Sequence, residues 1–160
     1  MRIEGKGHLT YCTNIHPGES WEEVRANLGR YLPAVKQRIA PDRELGVGLR
    51  LSAAAAEALR DGPVLAELQD FLRREGLYVF TINAFPYGPF HGRRVKEEVY
   101  LPDWRDEQRL RYTDLVADLL LGLLPDDQAL EGSISTVPGA FKSNAATPQA
   151  VAANSHPIDL

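Results

Sequence analysis

The chain has 160 residues, 44% hydrophobic and 25% charged, a balance that supports a buried core and excludes wholesale disorder. Its formal net charge of -4 argues against a nucleic-acid binder, which concentrates basic residues on one surface. The lone Cys12 cannot form an intramolecular disulfide and fits a reducing, cytoplasmic setting; the sequence predicts neither a membrane span nor a signal-peptide apolar region.

In chain order, residues 8–16 read as a first strand: Leu9, Tyr11 and Ile15 favour extended backbone, and Pro17-Gly18 ends the run. Residues 20–39 carry Trp21, Val24, Leu28, Tyr31, Leu32, Val35 and Ile39 at three- and four-residue spacing, which places them on one helix face. Ser20 and Glu23 form a capping box, and Pro33 is expected to kink or break the last turns. Residues 45–51 (LGVGLRL) predict a second strand, whose Gly46 and Gly48 signal close backbone packing. Ser52 then caps a helix over residues 53–59. Asp61-Gly62-Pro63 interrupts it, and residues 64–74 predict a second helical piece that Gly76 ends in a left-handed cap. The third strand is residues 77–84 (LYVFTINA), followed by the loop FPYGPFHG and the charged run RRVKEE. Asp103 is expected to cap a helix from residue 104 to about residue 124, and residues 130–137 (LEGSISTV) predict a fourth strand.

Strands separated by helices of this length predict parallel βα units and an α/β fold. The tail, residues 143–160, breaks the rhythm. It is small, polar and twice interrupted by proline, with Val151 and Ile158 nearly its only large apolar side chains. Residues 1–142 are therefore read as the layered unit and residues 143–160 as an irregular tail.

Parallel α/β folds bind ligands at the carboxyl ends of their strands, where loops vary over a rigid scaffold. That rule selects Asn14 and His16 after the first strand, Arg50 on the second, Asn83 and Tyr87 after the third, and Lys142 beyond the fourth. His16 can bind a metal, move a proton or donate to a substrate hydroxyl, or simply bond backbone near Pro17. Asn14 shares its strand face and is a substrate-contact candidate. Arg50, flanked by Leu49 and Leu51, must find a partner: either a ligand carboxylate or phosphate held in a fork, or an internal carboxylate. Asn83 can orient a sugar hydroxyl or satisfy its own loop. The aromatic loop, with Tyr87 and His91, reads either as a stacking wall for a sugar or as a lid over its own core. His91 is a candidate acid or base, whereas Lys96 belongs to a solvated charged run. Cys12 lacks a second cysteine for zinc, and its place in mid-strand suits a buried thiol. The four histidines lack metal-motif spacing, and the glycines of LGVGLRL lie inside the strand instead of after it, unlike a dinucleotide fingerprint.

The blocks HLTYCTNIHPGESW, GVGLRLS, YVFTINAFPYGPFHG, VYLPDWRD and GSISTVPGAFK resemble the EboE family of bacterial metabolite traffic proteins, within the xylose isomerase-like TIM-barrel group. The similarity runs almost continuously over residues 8–142. The resemblance implies the first half, about four strands, of a (β/α)8 barrel related to sugar-phosphate isomerases and epimerases. It implies a divalent metal (Mn, Mg or Zn) in the full-length parent, on ligands that family members carry in four further strands. No ligand is assignable in this chain: the fourth strand ends in Ser135-Thr136-Val137-Pro138, and Glu131 sits at its opposite end. The activity implied for the parent is metal-assisted isomerisation or epimerisation of a sugar-like or prenylated metabolite precursor, with this chain silent alone. The alternative is a non-enzymatic metabolite-binding or carrier protein. A half-barrel also leaves two raw sheet edges, which predicts a homodimer or poor solubility.

Overall fold

The computed structural model describes residues 1–89, 98–126, 130–145, 147 and 149. The chain opens on a short antiparallel pair, β1 (Arg2–Ile3) and β2 (Gly7–His8). Four further strands, β3 (Thr10–Cys12), β4 (Leu45–Arg50), β5 (Leu77–Asn83) and β6 (Ser133–Ser135), build one sheet in that spatial order. Every neighbouring pair in it is parallel. The fold is thus α/β, built from parallel βα units.

The helices follow the apolar spacing of the sequence. In α1 (Trp21–Ile39), Trp21, Val24, Leu28 and Leu32 are buried. The Ser20 side chain accepts from the Glu23 amide while the Glu23 carboxylate accepts from the Ser20 amide. The Glu19 amide, and with it the Ser20 amide, donates to the Glu23 carboxylate and holds its carboxyl below the usual range. The helix runs through Pro33 without a break. A proline there removes one bond, to the carbonyl of Gly29, and Gly29 is exposed, where water can replace it. Next come α2 (Ala53–Ala58), capped by Ser52, and α3 (Gly62–Glu75), ended by Gly76 at φ 61°. Helix α4 (Glu107–Leu123) starts later than expected, because Asp106 is the residue that accepts from a first-turn amide, that of Gln108. Asp103 is instead buried and paired with Arg105.

One side of the sheet carries the core. Leu45, Val47, Leu49, Leu77, Val79 and Ile82 belong to a single buried cluster with residues of α1, α2, α3 and α4, so these four helices lie on the same face. Each such leucine or isoleucine, fully buried, stabilises the fold by about 1.5–3 kcal/mol. The opposite face holds Thr10, Cys12, Gly46, Gly48, Thr81 and Ser133 in alternation with those residues. Close approach explains both glycines. A Cβ on Gly46 would lie 2.8 Å from the Leu9 carbonyl oxygen, and one on Gly48 would lie 2.9 Å from the Cys12 sulfur. A register shift between Val47 and Gly48 sets Val79 and Thr81 against consecutive β4 residues, so that Phe80 is the extra residue of a bulge.

Two strands are shorter than the sequence predicts. The first ends at Cys12 because the Thr13 hydroxyl accepts the Arg50 amide at 2.9 Å and the chain turns into a 3-10 helix over Thr13–Ile15. The fourth occupies Ser133–Ser135 alone. Cys12, expected to be a buried thiol, is exposed, because it points from the face that carries no helix among the described residues.

Candidate functional site at the strand carboxyl ends

Arg50 organises the carboxyl end of β4. Its side chain is 2% exposed and its guanidinium donates to the Gly18 carbonyl (2.6 Å), both Glu19 carboxylate oxygens (3.0 and 3.1 Å) and the Gly88 carbonyl (3.1 Å). Of the two roles open to it in the sequence, the internal ion pair is the one formed. Its Nε is buried without a hydrogen-bond partner among the described residues. Two residues on, the Ser52 hydroxyl donates to the Glu19 carbonyl while accepting from the Ala55 amide. The Ala53 amide donates to the Tyr87 carbonyl at 2.8 Å. The turn before α1, the N-terminus of α2 and the loop after β5 are therefore tied at one point.

A second arginine holds the same loop from the other side. Arg109, on α4, is fully buried; its Nε and terminal nitrogens donate to the carbonyls of Pro102 (2.8 Å), Ala84 (2.8 Å) and Phe85 (3.2 Å). Its guanidinium lies over the rings of Tyr87 (5.7 Å) and Tyr112 (5.4 Å). Burial pushes Arg109 below the usual guanidinium range and Tyr112 well above the usual phenol range. Tyr112 donates to the Leu51 carbonyl at 2.6 Å and meets Tyr87 edge-on. Pro86 is buried and Tyr87 packs against the core, so this part of the aromatic loop closes over the helices.

The helix-free face offers a different chemistry. Across the register row Cys12, Gly48, Thr81 and Ser133, the Ser133 hydroxyl donates to Thr81 Oγ1 at 2.9 Å. One pleat nearer the carboxyl ends, Arg50, Asn83 and Ser135 are in register, and the Ser135 hydroxyl donates to Asn83 Oδ1 at 3.1 Å. Asn83 Oδ1 also accepts the Phe85 amide at 3.1 Å, and among the described residues no hydrogen bond is made by the amide nitrogen of Asn83. At the amino end of this face His8 Nδ1 lies 2.8 Å from the Tyr78 hydroxyl, and the His8 ring meets Tyr78 and Phe80. Burial raises the Tyr78 phenol above its usual range. The carboxyl-end floor therefore consists of neutral donors and acceptors.

The predicted site residues do not all converge there. Arg50 and Asn83 are neighbours in register, with Arg50 engaged by Glu19. His16 Nε2 is 2.9 Å from the Tyr11 hydroxyl, and its ring stacks on Tyr31 of α1 with centroids 4.0 Å apart. That places it beside α1. Tyr87 lines a groove of about 790 Å³ between α2 and α4, on the helical side. Asn14 is exposed on the 3-10 turn after β3, and Lys142 is exposed in a second such turn, Lys142–Ala145. His91 and Lys96 lie outside the described residues. Sequence reasoning missed Arg109, although the signal was present. It stands one helical turn from Tyr112 and two from Val116, on the apolar face where a charge must be compensated.

Among the described residues there is no group of three or more His, Cys, Asp or Glu side chains that could hold a metal ion. Hydroxyls and an amide are poor donors for a divalent cation without carboxylates or imidazoles, so the described floor supplies no ligand set of its own, and the resemblance places the metal's ligands on four further strands. No described helix is long and apolar enough to cross a membrane. Comparison with models of protein families, with curated proteins and with solved structures gave no match.

Proposed function

We propose that this chain holds a neutral, sugar-like metabolite at the carboxyl ends of its sheet, as the first half of a (β/α)8 barrel of the EboE type. The observation that carries the reading is the uncharged floor of Thr81, Asn83, Ser133 and Ser135 on a face free of described helices. Such groups exchange hydrogen bonds with sugar hydroxyls and carry no charge to balance a strongly anionic ligand. Among the described residues, Arg50, in register with Asn83, is committed to Glu19. Support for the half-barrel comes from strand order: consecutive parallel strands with all helices on one face are the arrangement of a barrel wall. An open doubly wound sheet reverses its strand order and covers both faces.

A second reading, isomerisation by the parent protein, draws on the Tyr11–His16 pair, which sets an imidazole within 2.9 Å of a phenol near the end of β3. Such a pair can hold or move a proton. The described residues offer no ligand set for a metal, so the part this chain would play in that reaction is to bind and position the substrate.

Calorimetry with a panel of aldoses, ketoses and polyols tests the proposal. Asn83→Asp keeps the oxygen that accepts from Phe85 but replaces the free amide donor with an anion. It is expected to weaken binding by about tenfold or more while leaving the thermal melt nearly unchanged. Equal affinity of the two proteins, or no binding across the panel, would refute the assignment.

A further inference from the structure

The carboxyl-end row Arg50, Asn83 and Ser135 holds a charged residue whose charge is cancelled from outside the sheet. We infer that Glu19 sets the charge preference of this site: by neutralising Arg50, it makes the site take a free sugar and reject the phosphate ester of that sugar. The inference rests on the binding reading above and adds the residue that decides between the two ligand classes.

Strand alternation puts Arg50 on the same side of β4 as Gly46 and Gly48, the face without described helices. Asn83 is its neighbour in register, one strand spacing of about 4.8 Å away. An arginine so placed is suited to a phosphate, which it meets with paired N–H groups and a full positive charge. Here both terminal nitrogens are engaged within the protein, Nη1 by the Gly18 carbonyl and Nη2 by Glu19 and the Gly88 carbonyl. Both Glu19 oxygens meet Nη2, at 3.0 and 3.1 Å, and the pair is neutral as a unit. A phosphate ester beside Asn83 would give up hydration and gain no counter-charge from this pair.

Glu19 is a positioning residue whose own place is fixed from both ends. Its amide donates to the Glu23 carboxylate at 2.8 Å, and its carbonyl accepts the Ser52 hydroxyl. The turn before α1 therefore presents the carboxylate to Arg50 before any ligand arrives. The Glu19 side chain is 31% exposed against 2% for Arg50, so replacing Glu19 changes the charge of the pair with the smaller disturbance to packing. Without the carboxylate, the guanidinium charge acts on a ligand held by Asn83 across one strand spacing.

Calorimetry on the full chain with inorganic phosphate, and with ribose and glucose beside their 5- and 6-phosphates, tests this. The parent is expected to bind a free sugar at least about tenfold more tightly than its phosphate. Glu19→Gln is expected to bring the two within about threefold or reverse their order, and to gain binding of inorganic phosphate that weakens with salt. Glu19→Asp keeps the charge, and the double variant Glu19→Gln, Arg50→Gln removes both charges; each is expected to reject phosphate as the parent does. A purely structural role would weaken sugar and phosphate together. A parent that prefers the phosphate ester would overturn the inference, whatever the fold of the variants. So would a double variant that still binds phosphate. Free sugars bound by the parent, with the same preference in a folded Glu19→Gln chain, would sink this inference alone. Inorganic phosphate bound by Glu19→Gln, with no sugar bound by any of these proteins, would sink the binding proposal alone.

Discussion

Asp103 shows how an ion pair beside the parallel sheet becomes a pH-dependent contribution. Its side chain is 3% exposed, and the Arg105 guanidinium on its carboxylate, at 2.5 Å, holds the carboxyl below the usual range. A depressed carboxyl stabilises the fold fully above its unfolded pKa, near ~3.9, and loses that contribution as pH falls through the folded value. Asp103→Asn is therefore expected to cost about 1–3 kcal/mol at pH 7, with the gap to the parent narrowing below about pH 4. Urea midpoints at pH 7 and pH 3 check both the size and the sign. The two strand glycines make a sharper pair. Gly46→Ala drives a methyl into the Leu9 backbone oxygen, whereas Gly48→Ala meets the end of the Cys12 side chain, which can rotate. Gly46→Ala is expected to cost about 1–3 kcal/mol and Gly48→Ala distinctly less. Equal midpoints for the two variants in urea would refute that ordering.

Among the elements, α4 does two jobs: it covers β5 with Val116, Leu119, Leu120 and Leu123, and it delivers Arg109 to three loop carbonyls. Lysine cannot span a planar fork of three acceptors, so Arg109→Lys is expected to lose at least about 3 kcal/mol in urea unfolding. A cost below about 1 kcal/mol would show that the loop is held by its own packing. Elements with one dominant local signal were legible in the sequence. The Ser20–Glu23 capping box, the left-handed Gly76 and the apolar runs of β4 and β5 all fall where the residues predict. What escaped is set by partners distant in sequence. The first strand stops early because Thr13 bonds Arg50, 37 residues away. The exposure of Cys12 depends on which sheet face receives the helices, and strand alternation alone does not encode that choice. Arg50 was legible as a buried cation in need of a partner, but Glu19 could be named only once the two loops were seen together.

Among the described residues the molecule is a sheet with its helices on one side. Its helical side is closed by packed leucines and two arginine ties, and its other side presents small neutral groups in register. Candidate residues chosen by strand-end position separate accordingly: Asn83 belongs to the open face, while His16 and Tyr87 pack on the helical side. The central claim is that the open, carboxyl-end face is the functional one. Amide shift mapping by NMR, with a bound aldose or polyol titrated into the labelled chain, tests it most directly. Shifts are expected to concentrate at Cys12, Gly48, Asn83 and Ser135, with the amides along α1 and α3 unmoved. Shifts clustered in the groove between α2 and α4 around Tyr87, or spread without focus over the helical surface, would contradict it.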